Sequence, residues 1–275
     1  MGAVELSCRE WGDRHHSLTV VLIHCLSAQG QIWDPLARGL SDVHHLVAPD
    51  LRGHGASPWP GCYGAEEYLA DLEALVARRG TTSVALIGHS FGGMIAAGFA
   101  IRHPEQVRAL VTIDINIPPP IRLIERVRAA GARPHPVFAT RDESVSALRR
   151  ALAPSASEET VGLLADALLT TSEGGLTFDF DRNVLRQFEP LEFAEQIDRI
   201  LCPTLFLRGS ESSITDRGGA IAMLSRLEHS RLVEIPRAGH HVFLDNPSAT
   251  IQEIRQFLAE TLGRSPTVAP HPAQA

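Results

Sequence analysis

The 275-residue chain contains no lysine, so all 25 of its basic side chains are arginines. Its 32 acidic residues give a formal net charge of −7, and the arginines form no basic run. Nucleic-acid-binding surfaces concentrate positive charge, so this composition argues against a nucleic-acid partner. The chain also lacks an apolar run long enough to span a bilayer, so we expect neither a membrane segment nor a membrane partner.

Cysteine is scarce, with four residues at widely spaced positions and no C-x-x-C pair: Cys8, Cys25, Cys62 and Cys202. Such spacing favours reduced thiols over a disulfide framework. The first residues show neither the basic nor the apolar region of a signal peptide. We therefore expect a cytoplasmic protein.

Spacing typical of a metal site is also absent. The histidine doublets His15-His16 and His44-His45 are the nearest approach to one. Adjacent side chains on a strand point to opposite faces, and no carboxylate or third ligand is suitably spaced. We expect no bound metal and no cofactor.

Hydrophobic residues make up 44% of the chain and charged residues 21%, as is usual for a globular protein. Strands are predicted near residues 4–11, 18–23, 45–49, 84–87, 107–113, 203–208 and 232–235, with the first two joined as a strand pair. Helices are predicted near residues 31–40, 65–79, 94–100, 218–227 and 247–262. This alternation predicts an α/β fold with a mostly parallel, doubly wound sheet.

The alternation stops at Ile117-Pro118-Pro119-Pro120. From residue 117 to 190 the pattern predicts helices near 121–130, 142–152 and 157–171, and no strands. A segment of this length is too long for a bare loop in a compact domain, so we interpret it as an inserted helical cap. Residues 1–116 and 191–262 then form the core, and the Pro- and Ala-rich tail 263–275 is expected to be disordered.

The motif Gly88-x-Ser90-x-Gly92 lies between an apolar strand and a helix of small apolar residues. This strand–turn–helix context is that of a nucleophile elbow. The sharp turn leaves no room for side chains at the two glycines, and it strains the Ser90 backbone so that Oγ projects above the sheet. The helix N-terminus supplies N–H groups suited to an oxyanion. Ser90 is therefore the candidate nucleophile.

Further segments accompany the elbow in a fixed order: the His24 loop, residues 50–57, 203–209 and Ala238-Gly239-His240. Together they resemble the cap-bearing, esterase-like branch of the α/β-hydrolase fold family over about residues 3–262. The resemblance implies a cofactor-independent serine hydrolase cleaving a small-molecule ester, thioester or lactone. It leaves open a C–C bond hydrolase, an acyltransferase, a cyclase or a low-turnover ligand-binding regulator. A monomer or a homodimer is expected.

The resemblance also implies the base and the oxyanion hole. His240 follows the last strand in a Gly-His loop and is the expected base, with His241 as the neighbouring alternative. The N–H groups of Leu26 and Phe91 are the expected oxyanion donors. Cys25 replaces the glycine usual in the family, and its Cβ narrows the permitted backbone geometry. We interpret Cys25 as a small packing residue.

The carboxylate that should orient the histidine departs from the family pattern. Most relatives place an aspartate near positions 212–213, where this chain has serines, although some carry the acid at the end of the strand after the elbow helix. Asp114, at the end of the strand after the elbow helix, is the preferred candidate. Glu211 is an alternative because of its longer side chain, and Asp216 is a third that could instead cap the next helix.

Neither Arg52 nor a group of five aromatic residues is predicted to have a catalytic role. Arg52, in the 50–57 loop, is predicted to be structural. Five aromatic residues fit either an apolar pocket beneath the cap or the core: Trp33, Phe138, Phe178, Phe180 and Phe243.

Overall fold

A computed structural model describes residues 2–16, 18–151 and 156–262, so the predicted tail 263–275 lies outside the described residues. The described strands are β1 (Cys8–Trp11), β2 (Thr19–Ile23), β3 (His45–Pro49), β4 (Val84–His89), β5 (Val107–Ile113), β6 (Leu169–Ser172), β7 (Gly175–Phe178), β8 (Thr204–Gly209) and β9 (Ser230–Ile235). Seven of them form one sheet in the order β1-β3-β2-β4-β5-β8-β9.

The described α-helices are α1 (Asp34–Arg38), α2 (Ala65–Arg78), α3 (Phe91–Arg102), α4 (Ile121–Gly131), α5 (Arg141–Ala151), α6 (Glu158–Leu168), α7 (Asn183–Arg186), α8 (Arg217–Leu224), α9 (Val242–Asp245) and α10 (Pro247–Leu262). Two 3₁₀ helices cover Gly30–Trp33 and Ala194–Arg199. Among these helices, none combines the length and apolar character that a membrane crossing requires.

Every pair of neighbouring strands in the sheet is parallel except β1 with β3. The predicted pairing of the first two strands is therefore wrong, because β1 pairs with β3 and β2 lies between β3 and β4. Burial explains the difference. Every residue of β2 is buried, as in a central strand covered on both faces, whereas β1 is partly exposed and suits an edge.

Apolar side chains alternate between two clusters, one on each face of the sheet. Val21 and Ile23 belong to the cluster that includes residues of α2, α3 and α8, whereas Val20 and Leu22 belong to the cluster that includes residues of α1 and α10. The period of two sends successive side chains of a strand to opposite faces. The predicted mostly parallel, doubly wound α/β sheet is confirmed.

The strand register brings several loops to one edge. Ile23 of β2 pairs with Gly88 of β4, and Ile113 of β5 pairs with both His89 and Leu207. The carboxyl ends of β2, β4, β5 and β8 are therefore aligned, and this edge is where sites in parallel sheets form.

The prediction for the segment 117–190 is partly wrong. It contains helices, as expected, but β6 and β7 form an antiparallel hairpin within it. The helix predicted to reach residue 171 ends at Leu168, where the hairpin begins. Gly174 and Gly175 have φ angles of 89° and 149°, which this tight turn requires. Gly-Gly between two β-prone runs was the available sequence signal.

The helix predicted near residues 31–40 is also divided. A 3₁₀ turn over Gly30–Trp33 precedes α1, and Pro35 is the second residue of α1. Proline has no N–H, so the α-helical bond from residue 35 to the carbonyl of Gln31 cannot form. The single-helix prediction missed this break.

Candidate active site

The elbow has the geometry that the motif predicts. Ser90 lies between β4 and α3 with φ 53° and ψ −117°. A Cβ built at Gly88 would lie 2.3 Å from the carbonyl oxygen of Gly92, and one at Gly92 would lie 2.2 Å from that of Ile23. The prediction that neither position has room for a side chain is confirmed.

The structure brings the preferred carboxylate to the candidate base. Nδ1 of His240 lies 2.7 Å from Oδ2 of Asp114, whose side chain is fully buried, while 23% of the His240 side chain is exposed. Asp114 directly follows β5 and has a left-handed φ of 50°. A carboxylate facing Nδ1 fixes that nitrogen as the N–H donor and leaves Nε2 with its lone pair.

The loop after β8 holds this carboxylate. The Ser212 hydroxyl donates to Oδ2 of Asp114 at 2.6 Å, and the Gly209 N–H donates to Oδ1 at 3.3 Å. Ser212 Oγ in turn accepts from the N–H groups of Ile214 at 3.2 Å and Thr215 at 3.4 Å. These two donors direct the single hydroxyl proton of Ser212 toward Asp114. Sequence reasoning noted Ser212 only as a missing aspartate and did not identify this contact.

The other two carboxylates make no contact of this kind. Glu211 is exposed beside the cavity, and its carboxylate has no hydrogen bond or ion pair among the described residues. Asp216 caps α8, because its side chain accepts from the Gly219 N–H at 2.7 Å. The capping interpretation of Asp216 is therefore the right one.

Two contacts position the loop that carries His240. The buried His89 ring donates from Nε2 to the His240 carbonyl at 2.9 Å, and the Gly239 N–H donates to the Asp245 carboxylate at 2.8 Å. A Cβ at Gly209 would lie 2.1 Å from the Gly239 carbonyl oxygen, so the two backbones are in close contact. Burial lowers the pKa of His89, with His240 and His241 adding to the effect, so His89 is neutral.

The loop after β2 is ordered by His24. Its Nδ1 donates to the Cys25 carbonyl at 2.8 Å, and its Nε2 accepts from the Leu51 N–H at 2.9 Å. Burial lowers the pKa of His24 to about 4, which keeps the ring in this neutral form. Leu26 of this loop and Phe91 of α3 both line the cavity described below.

Cys25 fits the loop without strain. Positive φ among the described non-glycine residues occurs instead at Ser27, Ser90, Asp114 and Arg237. All four lie in loops around this site, and strained backbone commonly concentrates at functional sites. Cys25 is buried, as a packing residue should be, and its burial raises the pKa of the thiol to about 12.

A cavity of about 800 Å³ opens at this edge of the sheet, and Ser90, Asp114 and His240 line it. Its apolar wall combines side chains of α3 and of the 117–190 segment: Met94, Leu123, Val127, Leu185 and Phe188. These five residues could not be identified from the sequence, because no regular spacing along the chain connects them.

None of the five aromatic residues predicted to lie either in a pocket or in the core belongs to the described cavity lining. Trp33 and Phe243 stack in the core with ring centroids 4.4 Å apart, and the other three cluster around the hairpin. Their core interpretation is the right one.

Arg52 is structural, as predicted. Its buried guanidinium forms two hydrogen bonds with Asp71, at 2.6 and 2.7 Å. A bidentate pair of this kind fixes the 50–57 loop against α2.

Comparisons with known proteins agree with the fold. The alpha/beta hydrolase fold family matches residues 19–247. Over 95 residues the chain is 41% identical to Lipase LipV of Mycobacterium tuberculosis, covering 34% of this chain and only 36% of that protein. Over 258 residues it is 28% identical to a 3-hydroxybutyrate-oligomer hydrolase of Cupriavidus necator, covering 87% and 88% of the two chains.

A solved E-2-(acetamidomethylene)succinate hydrolase shares the fold, with a TM-score of 0.82 at 23% identity over 92% of this chain and 94% of that one. The family match spans most of the present chain, including the elbow and the histidine loop. The protein belongs to the alpha/beta hydrolase fold family, and it is an enzyme of the hydrolase class.

Proposed function

We propose that the protein is a serine esterase that cleaves small carboxylic esters with an apolar acyl group through an acyl-enzyme on Ser90. One observation carries the proposal. Ser90 projects from an elbow into the same cavity as His240, whose Nδ1 is held 2.7 Å from the buried Asp114 carboxylate. Nucleophile, base and orienting acid are the parts that acyl transfer requires.

The first step forms the acyl-enzyme. Nε2 of His240 takes the Ser90 proton while Oγ attacks the ester carbonyl carbon, and the tetrahedral oxyanion accepts hydrogen bonds from the N–H groups of Phe91 and Leu26. As the intermediate collapses, His240 returns the proton to the departing alcohol oxygen. Asp114 stabilises the imidazolium throughout.

The second step releases the acid. Water gives its proton to Nε2 of His240 and attacks the acyl carbon, and Ser90 Oγ then leaves with that proton. Because the cavity wall formed by Met94, Leu123, Val127, Leu185 and Phe188 is apolar, the acyl chain is the part of the substrate that it suits. The 3-hydroxybutyrate-oligomer hydrolase relative also supports the ester class, because hydroxy-acid units are joined to one another by ester bonds.

The test measures turnover of p-nitrophenyl acetate and butyrate by the wild type and by Ser90→Ala. We expect turnover that falls by at least about 10³-fold in Ser90→Ala. Ser225→Ala serves as the matched control, because Ser225 is exposed at the end of α8 and its loss should leave turnover unchanged. Equal turnover in wild type and Ser90→Ala would contradict the proposal, and so would its absence from both.

A further inference from the structure

Next to His240, three potential metal ligands meet in the protein interior. Cys25, His89 and His241 each offer one ligand atom, and these atoms all lie within 4.8 Å of one another. Cys25 Sγ is 3.9 Å from His241 Nε2. All three side chains are buried. They come from the loop after β2, the end of β4 and the loop after β9, so no sequence spacing connects them.

The histidine at the end of β4 has a nitrogen available for coordination. Its Nε2 donates to the His240 carbonyl, so Nδ1 of His89 carries the lone pair. Nδ1 is buried and has no hydrogen-bond partner among the described residues, although a buried polar atom is normally satisfied. A neutral imidazole that donates from one nitrogen to a carbonyl and offers the other is the usual form of a metal-binding histidine.

The donor set identifies the class of ion. Two imidazole nitrogens and one sulfur suit zinc and similar borderline-soft cations, whereas magnesium and calcium prefer oxygen. Three protein ligands leave one of four tetrahedral positions for water. Cys25 and His241 line the active-site cavity, which provides both an entry path and room for that water.

We propose that Cys25, His89 and His241 form a binding site for a zinc-class divalent cation, open to the active-site cavity, and that its occupation inhibits hydrolysis. On binding, the Cys25 thiol releases its proton to solvent as the sulfur–metal bond forms. The inhibitory part rests on the proposed esterase function, and the binding part does not.

Geometry gives the reason for inhibition. Atoms bonded to one tetrahedral zinc ion lie roughly 3.5 Å apart, given bonds of about 2.0–2.3 Å. Cys25 Sγ and His241 Nε2 are 3.9 Å apart, and all three ligand atoms lie within 4.8 Å of one another, so the ligands must move together. Cys25 is bonded to the expected oxyanion donor Leu26, and His241 to His240, so both catalytic groups shift with the ligands. A displacement of about 1 Å is enough to cost about 10²-fold in rate.

Binding is tested on the full chain after treatment with a chelator. Cobalt(II) replaces zinc as a spectroscopic probe, because sulfur ligation gives a charge-transfer band in the near ultraviolet, and zinc binding is measured by calorimetry. We expect one ion per chain and the sulfur band in the wild type. Cys25→Ala should lose the band and weaken zinc binding at least about 100-fold, and Cys25→Ser provides a second small replacement.

Cys202→Ala is the matched control. Cys202 is also a buried thiol, but it precedes β8 at the opposite end of the strands, so this variant should bind as the wild type does. Failure of the wild type to bind cobalt or zinc would overturn the proposal. Unchanged binding in Cys25→Ala would also overturn it, because the ion would then occupy other histidines.

Turnover of p-nitrophenyl butyrate tests the consequence. Stoichiometric zinc should lower wild-type turnover by about 10²-fold, with recovery after a chelator is added. Cys25→Ala should keep its own metal-free rate when zinc is added. Full wild-type turnover with zinc shown to be bound would overturn the inhibitory part. If no ester is hydrolysed without zinc, the proposed function fails, while the spectroscopic and calorimetric results still decide whether the site exists.

Discussion

The loops after β5 and β8 leave neighbouring parallel strands at the same edge of the sheet, yet they contribute different groups. The first supplies Asp114, the carboxylate that faces His240, and the second supplies Ser212, a hydroxyl that donates to that carboxylate. Most relatives in the resemblance carry the acid on the second loop, whereas the preferred candidate in this chain, Asp114, lies on the first. In this chain the charged group lies in the loop after β5, and the hydroxyl that donates to it lies in the loop after β8.

The largest effect is expected when the β5 loop loses its charge. Asp114→Asn keeps the side-chain size, and asparagine tolerates the left-handed φ of 50° at this position. The amide no longer stabilises the imidazolium and favours the wrong His240 tautomer. We expect kcat for p-nitrophenyl butyrate to fall by about 10⁴-fold.

Thermal unfolding of Asp114→Asn is the control for that experiment, since a variant that has lost its fold says nothing about the acid. Near-normal turnover in a folded Asp114→Asn protein would show that the carboxylate does not assist His240. In that case Glu211, which lies beside the same cavity, would become the candidate.

Moving the charge between the loops sharpens the comparison. The double variant Asp114→Asn/Ser212→Asp moves the carboxylate to position 212, near which most relatives carry an aspartate. Ser212 Oγ and His240 Nδ1 already share one oxygen of Asp114 as their partner, so a side chain one bond longer can reach the ring. Relative to Asp114→Asn alone, we expect kcat to recover by about 100-fold. Ser212→Asp alone is the control variant. It places a second carboxylate beside that of Asp114, and the two negative charges repel each other.

The absence of any recovery in a folded double variant would mean that the β8 loop no longer presents position 212 correctly to His240. The Ile214 and Thr215 N–H groups that now donate to Ser212 provide a physical reason for such a result. They would compete with His240 for the new carboxylate.

Sequence reasoning succeeded where one local pattern determines the structure. The elbow follows from Gly88-x-Ser90-x-Gly92 because each glycine position excludes a Cβ by backbone contact within a few residues or with the adjacent strand. The parallel sheet follows from apolar runs of strand length. The pairing of β1 with β3 and the contact between Ser212 and Asp114 could not be predicted, because both depend on long-range arrangement. The cap boundaries at residues 117 and 190 stay a prediction.

Removing the Ser212 hydroxyl while keeping the Asp114 carboxylate should lower kcat by an intermediate amount. Ser212→Ala deletes a 2.6 Å hydrogen bond to the buried Asp114 carboxylate. A hydrogen bond to a charged group contributes about 1.5–3 kcal/mol, so we expect kcat to fall by at least about 10-fold. KM should change little, because Ser212 donates to Asp114 and is not among the described residues that line the cavity.

Two further variants distinguish loss of the hydrogen bond that positions Asp114 from a general disturbance of the loop after β8. Ser212→Thr keeps the hydroxyl and should restore most of kcat, while Ser213→Ala removes the neighbouring exposed hydroxyl and should leave kcat within about twofold of wild type. A Ser212→Thr protein as slow as Ser212→Ala, although equally stable, would argue against the hydrogen bond as the cause.

The smallest effect is expected for Glu211, the other acidic residue of the β8 loop. Its main-chain N–H donates to the Ala238 carbonyl at 2.9 Å, which accounts for the place of the residue in the loop without any role for the carboxylate. The side chain is exposed, and the buried Asp114 already occupies the Nδ1 side of His240. Glu211→Gln should therefore change kcat for p-nitrophenyl butyrate by less than about twofold. A loss comparable to that of Asp114→Asn would show that the acid is Glu211, in the loop after β8, and not Asp114, in the loop after β5.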